Sequence, residues 1–204
     1  MTTLANLAKK NDFTILTDEV YRRFLYEGEY FSPVSVPGMT ERTIILDGFS
    51  KTYSMTGWRA GFGVMPENLV EPISRLSTNS VSCTASFTQI ATLEAMNGPQ
   101  EEPMRMVDEF KKRRDVIVNG LNSIPGIECP MPGGAFYVFP SIEGTGMSSK
   151  QFANDLLEKH GVACLAGESF GEYGKGCIRF SFANSMENLN EALDRINSFV
   201  IANS

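Results

Sequence analysis

The sequence predicts an α/β protein: part of a mostly parallel sheet, followed by a second, smaller α/β unit. Three observations predict it. Short, unbroken apolar runs at residues 13–17, 43–46 and 61–65 are bounded by polar residues. Continuous rather than alternating apolarity is the pattern of strands covered on both faces, hence of a parallel sheet. Helical periodicity recurs before and after these runs, and a sharp break at Asn97-Gly98-Pro99 divides the chain.

The elements follow in order. Residues 3–10 read as a helix with Leu4, Leu7 and Ala8 on one face. The first two apolar runs come next as strands, and the third run can supply another. Residues 69–96 alternate helical patterning with a Ser/Thr-rich segment at 77–84. Beyond the break, Met106, Phe110, Ile117, Leu121 and Ile124 recur at helical spacing and stop at Pro125-Gly126. Residues 127–141 read as strands around Pro132-Gly133-Gly134. Ser148-Ser149-Lys150-Gln151 is a capping-box sequence that opens a helix through His160, closed by Gly161. Residues 177–182 form another strand. Residues 184–187 cap a last helix that buries Leu189, Leu193, Ile196 and Val200. The boundary between the units falls near residues 97–105, giving 1–104 and 105–204.

Composition narrows the function classes. Over 204 residues the apolar fraction is 42%, the charged fraction 21% and the net charge −6. An acidic balance argues against a nucleic-acid surface. The single basic run, Lys111-Lys112-Arg113-Arg114, lies in a helical pattern and reads as a solvated face. Four cysteines lie far apart without a Cys-x-x-Cys, and one histidine, His160, is too little for a zinc site. The thiols read as reduced. The first ten residues lack the apolar core of a signal peptide, and no run approaches membrane-spanning length. The expectation is a cytoplasmic protein without membrane or nucleic-acid partners.

The chemistry-bearing residues cluster after the predicted strands. Asp18-Glu19-Val20-Tyr21 follows the first, where ligands of open parallel sheets bind. Asp18 could hold a heteroaromatic nitrogen protonated or simply cap a turn, and Tyr21 could donate to a phenolic oxygen. Ser50-Lys51-Thr52 follows the second strand, with Arg59 eight residues beyond the lysine. A lysine beside an anion site suits Schiff-base chemistry, or is a solvated loop residue. A guanidinium clamps a phosphate through charge-assisted hydrogen bonds of about 1.5–3 kcal/mol each. Together, an amine, an acid and a phosphate clamp are what a phosphorylated pyridine aldehyde needs. Arg179 interrupts an otherwise apolar strand and must meet either an internal carboxylate or one carried by a substrate. His160 reads as a helix-end residue, and Gly61-Phe62-Gly63 lacks the third glycine of a dinucleotide fingerprint.

Four blocks, Asp18 to Tyr21, Ser50 to Gly61, Gly133-Gly134-Ala135-Phe136-Tyr137 and Arg179 to Ala183, occur in the order seen in class I/II pyridoxal-phosphate aminotransferases. The chain resembles the C-terminal half of that family, and the likeness covers nearly all of it. The resemblance implies a fold type I transferase, with 1–104 as the remainder of the cofactor-binding large domain and 105–204 as the small domain. It implies that Lys51 carries pyridoxal 5'-phosphate as a Schiff base and shuttles the proton. Asp18 would pair with the pyridine nitrogen, Tyr21 with the ring oxygen, and Ser50 and Arg59 with the phosphate. Arg179 would grip the α-carboxylate of an amino acid, with a 2-oxo acid as acceptor, in a homodimer.

Family members look about twice this long, so the chain reads as a fragment with bare strand edges and a tendency to associate. Carbon–sulfur β-elimination on the same scaffold, and a non-catalytic fragment that retains no cofactor, remain open alternatives. Substrate choice is not legible: Arg75 lies on a predicted helix, while Phe136 and Tyr137 suit a pocket and a core equally.

Overall fold

A computed structural model describes residues 1–203. The chain divides into two compact units, Met1–Met104 and Arg105–Ser204.

The first unit opens with α1 (Thr2–Asn11), which ends where Asp12 turns into the left-handed region. Its buried face is Ala5 and Ala8, packed with Ile15, Met39 and Val36, while Leu4 and Leu7 stay exposed. Of the expected Leu4, Leu7 and Ala8 face only Ala8 is buried, so the buried face is shifted by one residue, about 100° around the helix. Two alanines let the helix axis approach Met39 closely, which branched side chains would prevent. Strand β1 (Ile15–Asp18) pairs in parallel with β2 (Thr43–Gly48), from Ile15 opposite Thr43 to Asp18 opposite Leu46. Strand β3 (Gly61–Val64) pairs with β2 antiparallel, Gly48 opposite Gly61, in the order β1-β2-β3.

The third apolar run is thus a strand, but it runs against its neighbour. The link from β2 to β3 holds turns and the short 3-10 segment Thr56–Trp58 rather than an α-helix. A parallel crossover ordinarily needs a helix over such a length, whereas a reversal does not. Nor is the sheet covered on both faces within this chain. Leu16, Leu46, Phe62 and Val64 remain exposed on it, and Phe87, Ile90 and Leu93 on the helix α3 described next. Helices α2 (Glu67–Ser80) and α3 (Ser86–Asn97) complete the unit.

Helix α4 (Glu101–Asn122), in the second unit from Arg105 onward, buries Ile117, Val118 and Leu121, and Ile124 is buried just beyond its end. The basic run on it is not uniformly solvated. Lys111 and Lys112 are exposed, but Arg114 is 3% exposed, donating to Asp115 Oδ1 and to the Pro132 carbonyl. A buried guanidinium persists only with such partners. Within residues 127–141 the ladder is short: β4 (Tyr137–Val138) and an isolated bridge from Glu128 to Ser141.

Helix α5 (Ser149–His160) is capped by the Ser148 hydroxyl, which accepts from the Gln151 N–H, and closes on left-handed Gly161. Strand β6 (Ile178–Ser181) lies between β4 and β5 (Leu165–Ala166), antiparallel to both. Helix α6 (Met186–Ala202) is capped by the Ser185 hydroxyl and buries Leu189, Ile196, Phe199 and Val200. Its Phe199 meets Phe152 of α5 edge to face at 5.0 Å. His160 ends α5 with its ring 5.3 Å from Phe199, a packing position. All four cysteines are free thiols. Among the described residues, no helix is long and apolar enough to cross a membrane.

Candidate active site

The β2–β3 link is a closed loop because its two ends are the paired residues Gly48 and Gly61. Both positions are tight for any side chain. A Cβ on Gly48 would sit 3.2 Å from the Ala60 carbonyl oxygen, and one on Gly61 would sit 3.1 Å from that of Asp47. Inside the loop, Phe49, Met55 and Ala60 form a buried cluster with Tyr53, Ala91 and Ala95 against it. The Phe49 carbonyl accepts from the N–H groups of both Tyr53 and Met55. Around this apolar knot Ser54 and residues 56–59 are exposed and Ser50 and Lys51 half-buried, while Thr52 is buried. Ser54 and Arg59 adopt left-handed φ values of 54° and 55°, which are uncommon for residues with side chains and cluster at functional sites.

The loop and the end of β1 together line one cavity of about 290 Å³, walled by Asp18, Val20, Leu46, Asp47, Gly48, Ser50, Arg59, Ala60 and Gly61. Three of the residues singled out from sequence, Asp18, Ser50 and Arg59, therefore meet at one place. Asp18 Oδ1 accepts from the Val20 N–H at 3.1 Å, so the aspartate does cap its turn. Its second oxygen has no hydrogen-bond partner among the described residues. Arg59 donates from one guanidinium nitrogen to the Thr56 carbonyl at 2.8 Å, which orients the group and leaves its other N–H groups for a ligand.

Lys51 follows Ser50, with its Nζ 5.7 Å from the centroid of the Tyr21 ring. A cation over a ring face at this range is attracted to it. The first two loops are thereby joined: residues 18–21 supply the acid and phenol, residues 50–59 the amine, hydroxyl and guanidinium.

Sequence reasoning passed over Asp47 and Arg22. Asp47 Oδ2 lies 2.6 Å from Arg22 Nε, and its Oδ1 accepts from the Gly48 N–H at 2.7 Å. With its carboxylate nearly buried and paired, Asp47 fixes the cavity wall without presenting a free charge to a ligand. An aspartate inside an apolar strand run was the available signal. Glu19 is buried and accepts from the Ser32 hydroxyl at 2.6 Å, tying the segment after Asp18 to residue 32. Burial and that carboxylate push the nearby Tyr30 phenol well above its ordinary range.

Arg179 belongs to the second unit, on β6. Its guanidinium carbon lies 4.6 Å from the Tyr137 ring centroid and 4.3 Å from that of Phe170. Among the described residues it forms no ion pair, so of the two partners open to it, an internal carboxylate is not found. Phe136 is buried, stacked at 5.5 Å on Phe110. Arg75 pairs with Glu71 one helical turn earlier on α2.

Comparison with known proteins follows the same lines. Residues 1–196 match the family described as aminotransferase class I and II. An aspartate aminotransferase of Pyrococcus horikoshii is 43% identical over 198 residues, covering 95% of this chain and 50% of that protein. Aromatic-amino-acid aminotransferase 2 of Thermococcus litoralis is 40% identical, again over 95% of this chain and 50% of its own length. The crystal structure of the aromatic aminotransferase from Pyrococcus horikoshii superposes with a TM-score of 0.94 at 35% identity, covering 98% of this chain and 54% of that one. The chain spans about half the length of the curated relatives it matches. The order of its motifs, the fold of both units and these matches agree: the chain belongs to the class I and II aminotransferase family.

Proposed function

We propose that this chain carries the cofactor-attachment half of a pyridoxal-phosphate-dependent aminotransferase, with Lys51 as the attachment point. The observation that carries the reading is the single cavity walled by Asp18, Ser50 and Arg59, with Lys51 next in sequence to Ser50 and beside the Tyr21 ring. The donor set fits the cofactor. A carboxylate oxygen without a partner suits a ring N–H, and a guanidinium with open N–H groups beside a hydroxyl suits a phosphate. A lysine amine suits an aldehyde. Pyridoxal phosphate, when bound, supplies an electron sink for bond breaking at the substrate's α-carbon.

The chain's own residues do the rest. Asp18 holds the proton on the ring nitrogen through its second carboxylate oxygen, while its first stays committed to the Val20 N–H. Arg59, braced on the Thr56 carbonyl, and the Ser50 hydroxyl bind the phosphate. Tyr21 donates to the ring oxygen and keeps its ring beside Lys51. Lys51 Nζ moves the proton at the substrate carbon. Arg179, on β6 of the second unit, binds the substrate α-carboxylate through its guanidinium. Asp18 and Arg59 are exposed in this chain, so water screens their charges and turnover needs further polypeptide over the cavity. The same reading carries amino-acid and 2-oxo-acid substrates, a homodimer and a cytoplasmic location. It also takes 1–104 as part of the cofactor-binding domain and 105–204 as the small domain.

The test is covalent labelling. The 204-residue chain is mixed with pyridoxal phosphate, reduced with borohydride and digested. The expected result is one dominant adduct, on Lys51, which Arg59→Ala weakens at low cofactor concentration. Labelling spread over the surface lysines in proportion to exposure would overturn the proposal.

A further inference from the structure

Arg179 is the one arginine in the β6 strand, and its surroundings are built from both flanks of that strand. Tyr137 of β4 pairs with Ser181, two residues from Arg179, so the tyrosine and the arginine are diagonal neighbours on one face of the ladder. On the opposite flank, β5 runs into the 3-10 turn Gly167–Phe170, which delivers Phe170. That turn is locked in place. The Gly167 N–H donates to the Cys177 carbonyl at 2.8 Å, and a Cβ at Gly167 would collide with the Gly174 carbonyl. Phe170 is braced in turn by Phe139, edge to face at 5.9 Å. Tyr137 is braced by Phe136 at 4.9 Å, and Phe136 by Phe110. Two supported rings thus hold the guanidinium, at 4.6 and 4.3 Å from its carbon.

We propose that Tyr137 and Phe170 are positioning residues: an aromatic clamp that holds the plane of Arg179 so that its N–H edge receives a carboxylate. Ring contacts occupy the faces of a guanidinium, which carry no hydrogen-bond donors, and leave the in-plane N–H fork for bidentate binding. Orienting the fork before the ligand arrives lowers the ordering cost of binding. Aromatic carbon satisfies the cation without competing for the donors, as an internal aspartate or glutamate would. The inference rests on the aminotransferase reading, which supplies the carboxylate. It goes beyond that reading in assigning what keeps the arginine in register.

The test follows the Arg179 Nε–Hε resonance of the 204-residue chain, identified by its loss in Arg179→Lys, as sodium acetate replaces sodium chloride at constant ionic strength. Acetate should move the resonance saturably. Phe170→Leu should weaken acetate binding roughly threefold, and Phe170→Tyr should restore it. Tyr137→Leu and Tyr137→Phe should behave as the same pair. Phe170 is 49% exposed and lies outside the core, so its leucine variant decides should Tyr137→Leu fail to fold. Unchanged acetate affinity in Phe170→Leu, or a resonance that ignores acetate in the unaltered chain, would overturn the clamp. Labelling of Lys51 by pyridoxal phosphate is read on the same samples. If labelling is normal while Phe170→Leu changes nothing, only the clamp fails. If acetate responds as expected while Lys51 goes unlabelled, the clamp stands and the aminotransferase reading fails.

Discussion

Replacing Phe49 by alanine should loosen the loop that carries Ser50, Lys51 and Arg59 while leaving the rest of its unit folded. The Phe49 ring is 5% exposed, packs on Met55 and Ala60, and lies 5.8 Å from the rings of both Tyr53 and Phe62. Truncating a buried phenylalanine costs about 3–5 kcal/mol. The cluster is small and borders the exposed Phe62, so part of the cavity can collapse and the lower end applies, about 3 kcal/mol. A loss of that size raises local opening roughly a hundredfold. The assay is amide hydrogen exchange at Tyr53 and Met55, whose N–H groups both donate to the Phe49 carbonyl, at 3.2 and 3.3 Å. The control is Phe13, whose N–H donates to the Ala8 carbonyl within the separate α1–β1 cluster. Exchange should rise at Tyr53 and Met55 and hold at Phe13. An equal rise at all three, or no rise, would refute the claim that this knot alone shapes the loop.

Further perturbations probe other parts of the account. Gly48→Ala places a Cβ against the Ala60 carbonyl oxygen and, at 3.3 Å, the Gly61 Cα, and overpacking of this kind costs about 1–3 kcal/mol. It should lower the urea midpoint read by the fluorescence of Trp58, the chain's only tryptophan. Ser148→Ala removes the hydroxyl that accepts from Gln151 and should cost about 1 kcal/mol in a thermal melt followed by circular dichroism. Burial pushes the Cys129 thiol up to about 11 and the Cys164 thiol up to about 12, from an ordinary 9.0. Between those values the folded chain keeps protons that the unfolded chain releases. The stability from these thiols is therefore complete below pH 9.0 and is lost as pH rises through 11 and 12. Urea midpoints measured upward from there should fall more steeply in the unaltered chain than in a Cys129→Ala, Cys164→Ala double variant.

Much of this was legible in the residues because local rules and the fold agreed. Ser148 and Gly161 bracket a helix by cap chemistry alone, and Leu189, Ile196 and Val200 bury at the spacing expected of them. The order of Asp18, Ser50, Lys51 and Arg59 fixed where a site should be sought, since the two segments follow strands that pair side by side. What stayed hidden depended on partners distant in sequence. Leu4 and Leu7 suit a buried face with Ala8 on periodicity, yet packing against Met39 buries Ala5 beside Ala8 instead. Arg114 looked solvated because its acceptor, the Pro132 carbonyl, lies beyond the helix. The reversal of β3 depends on a compact loop without an α-helix, and apolar runs do not encode direction. The clamp on Arg179 needed the order of three strands, which no motif spacing reveals.

The measurement that bears most directly on the central claim is the stoichiometry and position of the pyridoxal phosphate adduct after reduction, compared between the chain and Lys51→Ala. The account predicts close to one adduct per chain, located on Lys51, and its disappearance in Lys51→Ala with no new site of comparable occupancy. An adduct of equal yield in Lys51→Ala would contradict it.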